Sequence, residues 1–275
     1  MEAGSANDVH HQFDYGSYAR RRFSAPRGII DEERGVQPFY LQSYHNFYHR
    51  FSPEWDASNA SLLELGGGPV IYPLISASPY VSEVVFTDYI EGNREQVRLW
   101  KDRVPSAHDW SPYFKHVVNT LEGATDPAAA TRREEELRSK MKDILHCDIR
   151  AEQPGDIIAG GTTKLEPFDI VSFNFCCETV FDSHDAYKEG LKKVGALVRP
   201  KGFLTSLVSE EESYYSDGNK KIPHLFLTAQ DIHEYHKQAG FTVRYSARFP
   251  IPEAARGILN DCKGIHFIAV QKLCN

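Results

Sequence analysis

From residue 62 onward the chain alternates two spacings of apolar residues. Runs at 62–65, 83–87, 144–147, 168–175 and 203–208 carry few polar interruptions. Short apolar runs of this kind predict strands buried on both faces. Between them lie longer stretches with the spacing of helices, predicted at 70–76, 92–103, 131–142, 185–198 and 229–238, the last stopped by Gly240. Residues 210–225 suggest a hairpin excursion, and 241–249 and 264–272 a closing antiparallel edge pair. Strands alternating with helices predict an α/β fold: a doubly wound, mostly parallel sheet with helices on both faces. Upstream, Phe39, Leu41, Tyr44, Phe47, Tyr48 and Phe51 recur at helical spacing behind Pro38. Pro26 and Gly28 break the chain before that helix, and 1–12 is expected to be disordered. We expect one domain over 1–275, with a cap over 1–55, a core over 60–275 and a polar insertion at 105–142.

Composition narrows the class. The 275 residues are 41% hydrophobic and carry a net charge of −7, a balance that argues against a nucleic-acid groove. No apolar run reaches the ~18 residues that span a bilayer, and 1–11 lacks the apolar core of a signal peptide. The five cysteines include no C-x-x-C pair, so neither a metal site nor a disulfide framework is expected. A cytoplasmic, reducing setting follows.

The candidate chemistry begins at Ser61-Leu-Leu-Glu-Leu-Gly-Gly-Gly-Pro69. A strand ending in Gly66, Gly67 and Gly68, with Asp88 at the next strand end, is the layout of a nucleotide-binding βαβ unit. The glycines admit a ligand close to the backbone, and the acid can accept from a ribose diol. The third glycine of a dinucleotide fingerprint is missing, and Pro69 removes a backbone donor near the helix start. S-adenosylmethionine, with adenosine but no phosphate, therefore fits better than a dinucleotide. Asp148 is placed to meet the adenine amine, Tyr89 to stack on the ring, and Asn93 to reach the ribose. Tyr18 and Tyr72 can face the sulfonium. The plainer readings are a tight turn for the glycines, a helix cap for Asp88 and core packing for Tyr89.

For an acceptor, Glu178 and the run Glu210-Glu-Glu212 follow the next two strands, where open α/β sheets place ligands. Glu210 and Glu211 read better as a solvated charge run, and the competing reading of Glu178 is a helix-capping acid. His45 and His49 are four apart but lack a third ligand, so they read as helix-face histidines. Cys176 and Cys177 read as core thiols beside the pocket.

Several motifs together resemble the small-molecule N-methyltransferases that act on nicotinamide, phenylethanolamine and related amines. They are Leu65-Gly-Gly-Gly-Pro-Val-Ile-Tyr-Pro-Leu74, Thr87-Asp-Tyr-Ile-Glu-Gly-Asn-Arg94, Asp109-Trp-Ser-Pro112, Leu121-Glu-Gly123, Ile144-Leu-His-Cys-Asp148 and the segment 263–272. The resemblance implies a Rossmann-like class I methyltransferase with a seven-stranded sheet, an N-terminal lid and S-adenosyl-L-methionine as cofactor. It places cofactor contacts on Tyr18, Gly66, Gly67, Tyr72, Asp88, Asn93, Asp148, Ile149 and Asn174. Phe23 stands where some members have a second lid tyrosine, and Gly67 where a serine is usual. Glu178 and Glu212 match the acids that hold the amine, Tyr215 an aromatic of the acceptor pocket, and Phe175 a ring-packing residue. Arg22 and Tyr40 fall on lid positions. Val208 stands where the nicotinamide enzyme has an acid. Asn260 gives a mixed pocket, with Asp261 beside it. The expected protein is a monomer that methylates nicotinamide or a small amine. An NAD-dependent dehydrogenase and a non-catalytic S-adenosylmethionine-binding protein are the alternatives.

Overall fold

Strand β1 (Ser61–Leu65) is buried at all five positions because both of its faces are covered. Alternation with period two sorts its neighbours between two cores. Leu62, Val84, Ile170, Phe203 and Phe267 join one apolar cluster. Leu63, Val85, Val171, Leu204 and Ile268, each the next residue along, join the other. The computed structural model describes residues 15–26, 35–159, 167–217, 220–257 and 260–274. The segment 1–12, expected to be disordered, lies outside them.

Strands β2 (Glu83–Asp88), β3 (Met141–Cys147), β4 (Ile158–Ala159), β5 (Phe168–Phe173) and β6 (Val198–Glu210) follow, then β7 (Tyr214–Asp217), β8 (Lys220–Pro223), β9 (Phe241–Pro250) and β10 (Gly264–Lys272). The main sheet runs β4-β3-β2-β1-β5-β6-β10-β9, and β7 and β8 form the separate hairpin. β1, β2, β3, β5 and β6 are parallel, while β10 pairs antiparallel with β6 and β9. The strand count is eight among the described residues, not seven. The extra one is β4, two residues paired antiparallel to β3 and too short to leave a hydrophobic pattern.

Helices α1 (Tyr15–Arg22), α2 (Val36–Phe51), α3 (Tyr72–Ile75), α4 (Glu91–Lys101), α5 (Ser111–Lys115), α6 (Ala129–Lys140), α7 (Cys177–Val180), α8 (His184–Ala196) and α9 (Ala229–Gln238) fill the connections. α3 is one turn, shorter than the predicted 70–76. Pro73 has no N–H to donate and is tolerated only in the first turn of a helix, so the helix cannot begin as early as residue 70. β6 begins five residues before the predicted 203, around a bulge in which Lys201 has φ +63°. α2 is built into the first core: Phe47 packs on Phe203 at 5.4 Å and Tyr44 on Phe267 at 5.0 Å between ring centres.

The order reverses at β1, whose partners are β2 on one side and β5 on the other. Ligands of doubly wound sheets bind at such a switch point, beyond the carboxyl ends of the strands.

Candidate active site

Three backbone turns after β1, β2 and β3 build one half of the site. Gly66 and Gly68 take φ of +64° and +65°, where other residues are strained. A Cβ on Gly67 would lie 2.5 Å from the Phe86 ring, and one on Gly66 2.6 Å from Cys176 Sγ. The turn is therefore drawn tight against the strands beneath it.

Asp88 is buried at the end of β2. Its carboxylate accepts from Gly68 N–H at 2.7 Å, Ile90 N–H at 2.8 Å and Asn93 Nδ2 at 2.9 Å. Burial pushes its carboxyl above the usual range, against these donors. The Ile90 contact is a turn ahead of α4 and not a helix cap: Ile90 is the N-cap residue and no side chain caps that helix. Asn93 Oδ1 next to it is buried with no hydrogen-bond partner.

At the end of β3, Asp148 is held by its own turn: Arg150 donates through Nε at 2.9 Å and Nη2 at 3.0 Å. Partial burial opposes ionisation there, but the Arg150 contacts outweigh it and hold the carboxyl below its usual range. The same guanidinium lies 4.8 Å over the ring of Tyr89, which is 39% exposed. Ile149, between the two, is buried.

Asn174 points into the core. Its Oδ1 accepts from Tyr44 Oη and from Leu207 N–H, the latter at 2.9 Å. Its Nδ2 donates to Ser172 Oγ at 2.9 Å and to Glu64 Oε1 at 3.1 Å. With the side chain so engaged, only the backbone of Asn174 is left for a ligand. Glu64 is fully buried and burial pushes its carboxyl up to about 8, while its Oε2 has no partner.

A chain of rings covers this end of the sheet. Tyr18 meets Phe23 at 6.0 Å, Phe23 meets Tyr72 at 5.9 Å, Tyr72 meets Tyr40 at 5.9 Å and Tyr40 meets Phe175 at 5.5 Å. Phe23 is a hub, packed on Trp110 as well, with no hydroxyl to satisfy. Arg22 sits 5.9 Å over the Tyr18 ring.

The second half of the site follows β5 and β6. Phe175 and Glu211 both hold left-handed backbone, φ +50° and +51°, strain of the kind that clusters where a chain must turn a side chain inward. Glu178 and Glu212, each three residues or fewer beyond such a bend, are 2% exposed. Burial pushes the Glu178 carboxyl up to about 7, and Ser209 N–H donates to it at 3.2 Å. Glu212 Oε2 lies 2.8 Å from His224 Nδ1. His224 Nε2 lies 2.9 Å from Thr179 Oγ1, and that hydroxyl donates to Phe175 O at 3.0 Å. Tyr215 packs edge-on to His224 at 5.0 Å and bridges to Asn260. Asp261 serves the hairpin instead: it accepts from Ser213 N–H at 2.8 Å and from the Ser213 hydroxyl.

The profile of the NNMT/PNMT/TEMT family matches residues 3–273. The chain belongs to that family. Bovine phenylethanolamine N-methyltransferase is 30% identical over 268 residues, covering 98% of this chain and 91% of that protein. Human nicotinamide N-methyltransferase is 31% identical over 251 residues, covering 85% and 91%. Among solved structures, the fold is similar to that of the CurJ carbon methyltransferase, with TM-score 0.53 and 14% identity, over 87% of this chain and 55% of that one. It is also similar to a SAM-dependent methyltransferase from Methanosarcina mazei, with TM-score 0.50 and 13% identity, over 82% and 98%.

Membership of the NNMT/PNMT/TEMT family makes this an N-methyltransferase with S-adenosylmethionine as methyl donor. The donor half fits that group: the glycine turn leaves no Cβ in the way, and the orphaned Asn93 Oδ1 beside Asp88 could take a ribose hydroxyl. Two residues that contact the candidate site, Glu64 at Asn174 and His224 at Glu212, escaped the sequence reading. Glu64 is signalled only as an acid inside an apolar strand, and His224 carries no local motif at all. Glu210 is a correction. It is buried against Arg248 at 2.5 Å and His266 at 3.0 Å rather than solvated, because β6 extends to it and pairs it with Gly264. Glu211 pairs with Lys263. The helix cap near Glu178 is Ser183, which accepts from Ala186 N–H. Among the described residues no cluster of metal-ligating side chains occurs, and His45 and His49 stack on the face of α2.

Proposed function

We propose that this enzyme methylates the nitrogen of a small primary amine related to phenylethanolamine. The observation that carries this reading is a pair of buried acids after β5 and β6, Glu178 and Glu212, each 2% exposed; burial pushes the Glu178 carboxyl up to about 7. A pyridine nitrogen such as that of nicotinamide is already a free base at neutral pH and has no proton to lose before it attacks. An aliphatic amine arrives as an ammonium ion and must lose a proton before it can attack. Val208, without charge at the position of the nicotinamide enzyme's acid, supports the same choice.

The bound donor supplies an electrophilic methyl group on a sulfonium. In this reading Asp88 and Asn93 hold its ribose, with Gly66, Gly67 and Gly68 against its tail. Tyr89, Asp148 and Ile149 border the adenine, Asn174 contributes backbone, and Tyr18, Phe23 and Tyr72 close over the amino-acid end. Phe175, Arg22, Tyr215 and Asn260 surround the acceptor. The ammonium N–H bond breaks towards Glu178: the electron pair stays on nitrogen and the proton passes to the carboxylate. The aromatic cover from α1 to α3 excludes water, which keeps the charged groups strongly coupled.

The same reading takes the protein as one domain, a monomer in the cytoplasm, acting on small molecules and not on nucleic acid. Its net charge of −7 and five free thiols are in keeping with this. Among the described residues no helix is long and apolar enough to cross a membrane. Methyl transfer measured side by side with nicotinamide, phenylethanolamine, octopamine and tryptamine tests the reading. Turnover of one or more amines above nicotinamide is expected, and turnover of nicotinamide alone would overturn it.

A further inference from the structure

We propose that His224 is a positioning residue of the acceptor site: it holds Glu212 in a buried ion pair and leaves Glu178 as the carboxylate that meets the acceptor's ammonium. The inference rests on the amine reading above and assigns unequal roles to the two acids.

The geometry fixes the protonation of the imidazole. The Thr179 hydroxyl spends its proton on Phe175 O at 3.0 Å, so towards His224 Nε2, 2.9 Å away, it can only accept. Nε2 therefore carries a proton. Nδ1 lies 2.8 Å from Glu212 Oε2. This contact is off the line of an aligned hydrogen bond, so Nδ1 counts as buried without one, and the pair is an ion contact. A neutral ring with its proton on Nε2 would leave the buried Glu212 carboxylate, 2.8 Å away, without a compensating charge. The imidazolium supplies that charge. Burial works against the charge, and the Glu212 contact outweighs it, raising the His224 pKa from its usual value.

Other groups among the described residues face this cluster. Tyr215 of β7 packs on the ring, Asp261 lies ahead of β10, and Tyr40 of α2 and Cys262 feel Glu212. Around Glu178 stand Cys176 and Cys177 of its own turn and Tyr187 of α8. His224 is the cation among those named. Two buried carboxylates with no cation between them would share a proton. With His224 in place, the positive charge favours an ionised Glu178 and opposes the repulsion from Glu212. Glu178, Glu212 and His224 together then carry one net negative charge, which suits a monocation. The proton step is the one written above: an ammonium N–H breaks, a Glu178 O–H forms, and His224 keeps its own proton.

Two measurements test this. In the first, histidine-labelled protein is titrated by NMR, with the His224 ring assigned by through-bond connectivity. Its midpoint should lie above 6.5 in the wild type and fall by about one unit or more in Glu212→Gln. A midpoint below 6.5, or one that Glu212→Gln leaves in place, would overturn the proposal. In the second, the acid limb of kcat/KM for phenylethanolamine should move up by about one pH unit in His224→Gln, with affinity for S-adenosylhomocysteine within about twofold of wild type. A uniform fall in kcat with the limb unmoved marks a merely structural residue and counts against it. Should the wild type methylate nicotinamide and no amine, the amine reading falls, and the role given to Glu178 with it; the titration still decides the ion pair.

Discussion

Asp88 accepts the backbone N–H of Gly68 at 2.7 Å, so the acid ending β2 and the turn ending β1 hold each other in place. Asp148, at the end of β3, has no such partner in the glycine turn. Its carboxylate is partly exposed and doubly bound by Arg150. The two aspartates should therefore differ when removed. Asp88→Ala is expected to weaken binding of S-adenosylhomocysteine by roughly tenfold or more, since a hydrogen bond to a charged group contributes about 1.5–3 kcal/mol. Asp148→Ala should weaken it by less than half that factor. Calorimetric titration of both variants checks the order, and a larger loss for Asp148→Ala would reverse it.

Gly67 has no room for a side chain. A Cβ there would sit 2.5 Å from the Phe86 ring and 2.8 Å from Glu64 Cγ, both in the buried interior. Gly67→Ala should lower stability by about 1–3 kcal/mol, the usual range for overpacking. Adding Phe86→Leu should return part of that loss. Urea unfolding of the single and double variants reads the effect; an unchanged midpoint for Gly67→Ala would show that the ring moves aside freely.

Glu64 links charge to folding. Its carboxyl is pushed up to about 8 in the folded protein by burial, against about 4.3 for an unfolded glutamate. The folded state thus keeps a proton that the unfolded state releases. Stability falls as pH rises between these values, by at most about 1.4 kcal/mol per unit, and levels off above them. Glu64→Gln stays neutral throughout and lacks this slope. The stability difference, wild type minus variant, should therefore decline from pH 5 to pH 8 in denaturant unfolding. Parallel profiles would remove Glu64 as the source.

The layout of the candidate donor half, as a turn and two strand ends, was legible because it is local. A glycine turn, the acid twenty residues beyond Gly68 and the alternation of strands and helices all lie in short stretches of sequence. The ends of α9 and β10 match their predicted bounds because Gly240 and a polar turn mark them. What stayed hidden depends on residues far apart. Asn174 reads as a pocket residue until Tyr44, 130 positions away, and Glu64, 110 away, are seen to occupy its amide. Glu210 reads as solvated until His266, 56 residues on, is placed across from it. His224 gains its meaning only when the β7–β8 hairpin folds it back onto Glu212. Pattern reports periodicity along one segment, and these contacts join segments that no period connects.

The role of Glu178 decides the account. In Glu178→Gln, kcat/KM for phenylethanolamine should fall by roughly 10²-fold, the scale of a lost general base. Affinity for S-adenosylhomocysteine should stay within about threefold, and the rise of wild-type activity through about pH 7 should vanish. Equal losses in amine turnover and donor affinity, or an amine turnover that Glu178→Gln leaves intact, would contradict it.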